Sequence, residues 1–279
     1  MTKWADLHIH TYYSDSTSSP QEVVDDALKA GLSCIAITDH DVTDGIDPVR
    51  EAAGPHGIEV IAGIELSSEL NGKDIHILGY GFDHKKSPLV EKLQDIQQAR
   101  IERIKMMIAK LKTLGVNNIS FDEVAAKTKS NAVGRPHLAA VLHEKGWVSS
   151  IRAAFDKYIG EGGPAYFTKY NQTPFEAIKL IMDSGGVAVM AHPMYTQKDE
   201  LISQFVKSGL GGIEVYYPNC SETVLKFYKN LAKKYNILAT GGSDAHGKAK
   251  THTYVGKTQV PYELVEALKA KFRSVSLKT

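Results

Sequence analysis

Cysteine, net charge and long apolar runs are all scarce in this 279-residue chain, and each shortage closes off a class of protein. Cys34 and Cys220 are the only cysteines, too few for a disulfide framework or for a thiolate-bound structural zinc site. Both lie in strand-like or strand-end contexts and read as buried, reduced thiols. A formal net charge of +1 provides no overall attraction for nucleic acid or for a membrane surface, so a preference for an anionic ligand has to come from a local site. No apolar run approaches the ~20 residues that span a bilayer. Charges and histidines interrupt the first ten residues, which leaves no signal region there. No phosphate-loop or dinucleotide fingerprint surrounds Gly241-Gly242, so that pair reads as a tight turn. What remains is a soluble chain, expected to be cytoplasmic, with no membrane contact and no evident obligatory protein partner. Its hydrophobic content of 43% and charged content of 23% suit one α/β barrel or two smaller domains.

Short apolar runs alternate with helical patterns at the start. Strands are expected at 4–10, 33–38, 60–66 and 74–82, with helices at 20–31 and 45–56 and Gly31 as a helix stop. This βαβα order with short connections predicts a parallel sheet or barrel. The pattern changes near Lys85. Leu89, Leu93, Ile96, Ile104, Ile108, Leu111 and Leu114 recur at helical spacing, and the charged residues of 91–112 read as a solvated helix face. Ser120-Phe121-Asp122-Glu123 is a capping box, and further helices are expected at 136–145 and 149–158. Strands and helices then alternate again. The expected organisation is therefore a barrel in two parts, 1–86 and 164–279, interrupted by an all-helical insertion at 87–163.

Histidine carries the chemical signal. Of 11 histidines, His8, His10, His40, His76, His192 and His246 fall at the ends of expected strands. Residues i and i+2 of a strand share a face, so His8 and His10 project together, and Asp244 and His246 repeat the spacing. In a parallel α/β barrel the carboxyl ends of the strands converge on one rim, where active sites form. A lone histidine is ordinarily a surface or core residue. Six at strand ends, with Asp15, Asp39, Glu65 and Asp244 comparably placed, suggest an imidazole–carboxylate metal site suited to Zn, Mn or Fe.

Several segments are more specific. Asp6-Leu7-His8-Ile9-His10 with Ser14-Asp15, Thr38-Asp39-His40-Asp41, Gly63-Ile64-Glu65, His76-Ile77-Leu78-Gly79, Ala191-His192-Pro193 and Gly242-Ser243-Asp244-Ala245-His246 occur in that order. In this set the chain resembles the PHP (polymerase and histidinol phosphatase) family over residues 6–246, the insertion excepted. The resemblance implies a distorted (β/α)7 barrel and a cluster of up to three divalent ions, Mn²⁺, Fe²⁺ or Zn²⁺. It implies His8, His10, Glu65 and Asp244 on the first ion. Glu65, His76 and His192 would hold the second, and Asp15, His40 and His246 the third. Three divalent ions against three carboxylates leave a local excess of about +3, enough to attract a phosphate dianion. Metals also lower the pKa of bound water toward neutrality, which identifies hydroxide as the expected nucleophile. Asp39 joins Glu65, His192 and Asp244 in the expected catalytic set, either orienting a ligand or capping its strand.

Gly134-Arg135-Pro136-His137 opens a helix of the insertion, and an arginine fork can grip a phosphate. Similar segments occur in the family group that resembles nucleoside 3′,5′-bisphosphate phosphatases and short-RNA 5′ exonucleases. Arg135 and His137 are accordingly expected to bind substrate, with Tyr217 and Asn219 lining the pocket from the end of a barrel strand. The leading expectation is a stand-alone phosphatase that removes the 3′-phosphate of a nucleoside 3′,5′-bisphosphate and also trims short RNA. Histidinol-phosphate phosphatase, a non-catalytic polymerase-associated module and a metal-dependent amidohydrolase are the alternatives.

Overall fold

The apolar runs become strands with both faces covered, which is why runs such as Cys34–Ile37 and Val187–Met190 are apolar throughout instead of alternating. A computed structural model describes residues 3–85, 87–168, 172–250 and 252–276. Its strands are β1 (Trp4–Ile9), β2 (Cys34–Ile37), β3 (Glu59–Leu66), β4 (Glu69–Leu70), β5 (Lys73–Asp74), β6 (Ile77–Tyr80), β7 (Val187–Met190), β8 (Gly212–Tyr216), β9 (Leu238–Gly241) and β10 (Val260–Pro261). The main sheet runs β10-β1-β2-β3-β6-β7-β8-β9, while β4 and β5 form a separate hairpin. A parallel bridge from Ile9 to Ala245, just past β9, joins the two sides and closes a seven-stranded barrel. Near its start β1 instead pairs with antiparallel β10 outside the barrel. This is the distorted barrel that the PHP resemblance implies.

One expectation needs correction. The fourth strand, expected at 74–82 in a parallel sheet, begins at Ile77 and runs antiparallel to both β3 and β7. The ten residues between Leu66 and Ile77 hold only the β4–β5 hairpin. A parallel return needs a crossover of about a dozen residues or more, usually helical. Reversal has a functional consequence. It brings the residue before β6, His76, to the same rim as the residues that follow the parallel strands.

The helices are α1 (Pro20–Lys29), α2 (Ile46–Ala53), α3 (Pro88–Thr113), α4 (Phe121–Ala125), α5 (Arg135–Glu144), α6 (Ile151–Ala154), α7 (Pro174–Asp183), α8 (Pro193–Thr196), α9 (Ile202–Lys207), α10 (Glu222–Tyr235) and α11 (Tyr262–Ser276). Their starts follow local chemistry. Ser19 and Glu22 cap α1 reciprocally, as Ser120 and Glu123 cap α4 and Thr173 and Glu176 cap α7. Gly31, at φ +68°, turns the chain out of α1 in the left-handed region that glycine tolerates best.

Helix α3 links two apolar layers. Leu89, Leu93 and Ile96 join the barrel's outer core with Ile178 and Ile181 of α7. Ile104, Met107 and Leu111 instead join a separate cluster with Val124, Leu138, Leu142 and Ile159. At 1.5 Å per residue the helix is about 39 Å long, so its middle passes over the barrel rim. Among the described residues, no helix is long and apolar enough to cross a membrane.

Candidate active site

The i, i+2 spacing on β1 buries His8 and His10 side by side, with Nε2 atoms 3.1 Å apart. Glu65 Oε2, at the end of β3, lies 3.1 Å from each. Asp244 Oδ1 lies 3.6 Å from His8 Nε2 and 3.3 Å from His10 Nε2. A four- to six-coordinate shell with bonds of about 2.1 Å has donor–donor edges of about 3.0–3.4 Å, so this quartet has the dimensions of a metal cage. The other Glu65 oxygen, Oε1, sits 2.8 Å from His76 Nδ1 and 3.0 Å from His192 Nε2. On the far side of His10, Asp15 Oδ1 is 3.1 Å from His246 Nε2, and Asp15 Oδ2 is 3.8 Å from His40 Nε2. All nine side chains expected to bind metal therefore meet at one rim, where the described residues include three groups able to hold an ion.

Hydrogen bonding tests whether a cation fits. His8 Nδ1–H donates to Glu214 Oε1 at 2.9 Å, and His246 Nδ1–H donates to the Asp244 carbonyl at 2.8 Å. Each bond leaves the Nε2 lone pair facing the cluster. Asp15 Oδ1, His40 Nδ1 and His246 Nε2 are buried there without a hydrogen-bond partner. Facing lone pairs without a proton between them suit a metal ion. Charge points the same way. Burial works to raise the carboxyl pKa values, yet His246 and His40 hold Asp15 well below the ordinary range. His40 and His8 do the same for Glu65, and Lys250 and His246 for Asp244. Burial would lower His10, but its bonds to Asp244 and Glu65 push it up to about 9. The carboxylates demand positive charge, which divalent ions would supply in place of ring protons. Asp244 and His192 also hold positive φ values of +50° and +28°, backbone strain of the kind concentrated at functional sites.

Two buried acids support the cluster from behind. Glu214, on β8, is absent from the expected set. It is fully buried, and its Oε2 accepts the His192 amide N–H at 2.7 Å while Oε1 holds His8. Its one sequence signal is a charge inside the buried run Gly212–Tyr216. Asp6 accepts amide N–H groups from His8, Ser243 and Gly256, and burial raises its pKa to about 6 despite those bonds. A side chain on Gly242 would run into the His8 amide nitrogen and Asp6, so that glycine permits the close approach of β9 to β1.

The expected substrate-binding role of His137 is corrected, while Asp39 faces the loop that carries a cluster residue. Both Asp39 oxygens face the loop after β1: Oδ1 accepts Thr11 N–H at 2.7 Å and Ser14 Oγ–H at 2.5 Å, and Oδ2 accepts Thr11 Oγ1–H at 2.6 Å. Asp39 thereby positions the loop that carries Asp15. His137 is buried, accepts Gly134 N–H on Nδ1 at 2.9 Å and donates Nε2–H to the Ser14 carbonyl at 2.7 Å. It tethers α5 to the same loop and has no nitrogen left for substrate. Asn219 takes a left-handed turn residue's φ of +61° and borders neither recess described below.

Arg135 lies beside the cluster. It reaches Asp74 at 3.1 Å and stacks against Phe155 and Tyr166. The recess around it, bordered by Asp15, His40 and His76, also contains Arg100 and Arg103 from the middle of α3. These two correct the expectation that charged residues of 91–112 form a solvated face. Arg100 pairs with Asp41 and donates to the Val133 carbonyl at 2.9 Å. Arg103 is 8% exposed and donates through Nε to the Phe167 carbonyl at 2.7 Å, but its buried Nη2 has no hydrogen-bond partner. Burial and the nearby Arg135 bring its pKa down to about 10. A second recess, sharing His40 and His76 with the first, is bordered by His192, Tyr195, Tyr217, Asp244 and Lys250. Tyr217 is tied to the cluster. Its hydroxyl donates to Asp244 Oδ2 at 2.6 Å, and Lys250 Nζ meets the same oxygen at 2.9 Å. Away from the site, Cys34 is buried and Cys220 partly so, both as free thiols.

Comparison with known proteins agrees with this geometry. A family model described as PHP domain matches residues 6–235. The chain is 32% identical to the 3′,5′-nucleoside bisphosphate phosphatase of Chromobacterium violaceum, over 91% of each chain. It is 34% identical to a 5′-3′ exoribonuclease of Haemophilus influenzae, over 88% of this chain and 91% of the relative. A solved structure from Bifidobacterium adolescentis, described as a metal-dependent phosphoesterase, matches with a TM-score of 0.86 and 29% identity over 95% of both chains. With the family model spanning β1 to α10 and these relatives matched over nearly their whole length, the chain belongs to the PHP domain family.

Proposed function

We propose that this phosphoesterase removes the 3′-phosphate of nucleoside 3′,5′-bisphosphates, and that it shortens RNA from the 5′ end by cleaving the equivalent bond. The observation that carries the reading is the arginine recess beside the histidine cluster, with a buried guanidinium nitrogen of Arg103 left unpaired. An ordinary monophosphate would engage the cluster alone. A second phosphate gives that nitrogen its missing acceptor, and Arg100 and Arg135 add flanking positive charge. The bisphosphate substrate of the Chromobacterium relative supports the first activity and the Haemophilus exoribonuclease the second.

Three divalent ions, Mn²⁺, Fe²⁺ or Zn²⁺, fit the cluster. His8, His10, Glu65 and Asp244 would hold the first, Glu65, His76 and His192 the second, and Asp15, His40 and His246 the third. When bound, such ions supply Lewis acidity at the phosphoryl oxygens and lower the pKa of coordinated water. The chain's own residues position the substrate. Arg103 and Arg135 bind the 5′-phosphate and thereby set the 3′-phosphate over the cluster, converting binding energy into orientation. Glu214 and Asp39 keep His8 and the Asp15 loop in place, while Tyr217 and Lys250 steady Asp244.

The test is phosphate release from adenosine 3′,5′-bisphosphate with Mn²⁺, compared side by side with histidinol phosphate. Turnover favouring the bisphosphate is expected. No turnover in protein with metals confirmed bound, or a preference for histidinol phosphate, sinks the substrate assignment.

A further inference from the structure

A mononucleotide bound between the arginines and the cluster leaves the second recess without an occupant. Tyr195 is the most exposed of the residues that border it. It lies in α8, three residues past His192, and its side chain is 65% exposed. The ring is held edge-on by Tyr217, centroids 5.3 Å apart, and Tyr217 is edge-on to His192 at 6.1 Å. One aromatic ring is thus fixed by another while its own face stays open beside the cluster. Lys250 adds a cation on the same side, 2.9 Å from Asp244 Oδ2. An open aromatic face next to a cation is the combination that binds single-stranded nucleic acid, the base by stacking and the backbone by charge.

We propose that Tyr195, Tyr217 and Lys250 form a subsite for the nucleoside downstream of the scissile phosphate in an RNA substrate. The inference rests on the reading above, with the 5′-phosphate in the arginine recess and the 3′-phosphate at the cluster. In a bisphosphate the remaining oxygens of that 3′-phosphate carry no substituent. In RNA one of them is the O5′ of the next nucleoside. The first nucleotide fills the arginine side, so the second leaves by the recess shared across His40 and His76. The same P–O3′ bond breaks in both substrates. Water gives its oxygen and one proton to phosphorus as a hydroxyl, and its other proton ends on O3′. The first nucleotide departs with a free 3′-hydroxyl, and the phosphate stays on the downstream nucleoside as a new 5′-phosphate. That product carries the group the arginine recess accepts, so shortening can repeat.

The experiment measures kcat/KM of the metal-loaded wild type, Tyr195→Ala and Tyr195→Phe on adenosine 3′,5′-bisphosphate and on a 5′-phosphorylated RNA trinucleotide. Metal content is determined for each protein. Loss of one stacking platform is expected to lower the trinucleotide-to-bisphosphate ratio by about 5- to 150-fold in Tyr195→Ala. Tyr195→Phe keeps the stacking face and is expected to retain the wild-type ratio. An unchanged ratio in Tyr195→Ala, including an equal loss on both substrates, overturns the subsite. Wild type that hydrolyses the bisphosphate but not the trinucleotide also overturns it, and leaves the phosphatase reading standing. Wild type that hydrolyses neither, with metals bound, removes the reading on which the subsite rests.

Discussion

Glu214 holds His8 from behind the cluster: its Oε1 accepts the Nδ1–H at 2.9 Å, across 206 residues of sequence. Its other oxygen takes the His192 amide, so one buried carboxylate orients two residues of the cluster. That bond selects the His8 tautomer whose Nε2 lone pair faces inward.

Removing this carboxylate is expected to weaken metal binding more than it disturbs the fold. Glu214→Ala should lose about 10- to 100-fold in metal affinity, with Glu214→Gln intermediate because its amide oxygen still accepts the hydrogen bond from His8 Nδ1–H. Chelator competition measures the affinity, and circular dichroism checks that both variants are folded. Wild-type affinity in folded Glu214→Ala would refute the orienting role.

Metal removal should lower thermal stability. Asp15, Glu65 and Asp244 meet at one point and lean on ring protons or cations for compensation. Ligand imidazoles bind metal only when deprotonated, and without metal His10 holds its proton up to about 9, so affinity falls as pH drops below that value. The gain in Tm on adding Mn²⁺ to chelator-stripped protein is therefore expected to be larger at pH 8 than at pH 5.5. Calorimetry at the two pH values checks the sign, and equal gains would contradict it.

Arg103 should matter for the second phosphate and little for the first. A charge-assisted hydrogen bond contributes about 1.5–3 kcal/mol, so Arg103→Met is expected to reduce kcat/KM on a nucleoside 3′,5′-bisphosphate by about 10- to 150-fold. Steady-state kinetics with p-nitrophenyl phosphate, which has one phosphate, should show a much smaller change. Equal losses on the two substrates would mean that Arg103 supports the fold and does not read the substrate.

His137 should behave as a tether. Replacing it by alanine strands the buried Gly134 amide and Ser14 carbonyl, each left unsatisfied at a cost of about 1–3 kcal/mol. Urea denaturation of His137→Ala should record that loss, with kcat reduced as the Asp15 loop loosens. An increase in KM with stability unaltered would restore the substrate-binding role.

The PHP motifs were readable because they depend on local geometry. Two residues apart on a strand means the same face, so His8 and His10 had to project together whatever surrounds β1. The same holds for helix starts at Ser19, Ser120 and Thr173, where a side chain three residues away completes the cap. Apolar periodicity located α3, but it reports only which residues avoid water. A charged residue lining a polar recess has the same pattern as one facing solvent, so Arg100 and Arg103 were indistinguishable from their exposed neighbours.

By itself, then, the sequence determined the paired projection of His8 and His10, the motifs that carry the family resemblance and the alternation of strands with helices, because each arises within a few residues of chain. Tertiary structure decided the rest. The short β3–β6 connection reversed β6 and carried His76 to the rim, and barrel closure brought Glu214 behind His8. The path of α3 over the rim turned two arginines inward, and both His137 nitrogens were taken by backbone partners. Each of these depends on partners distant in sequence or on the direction of a whole element, which residue spacing does not encode.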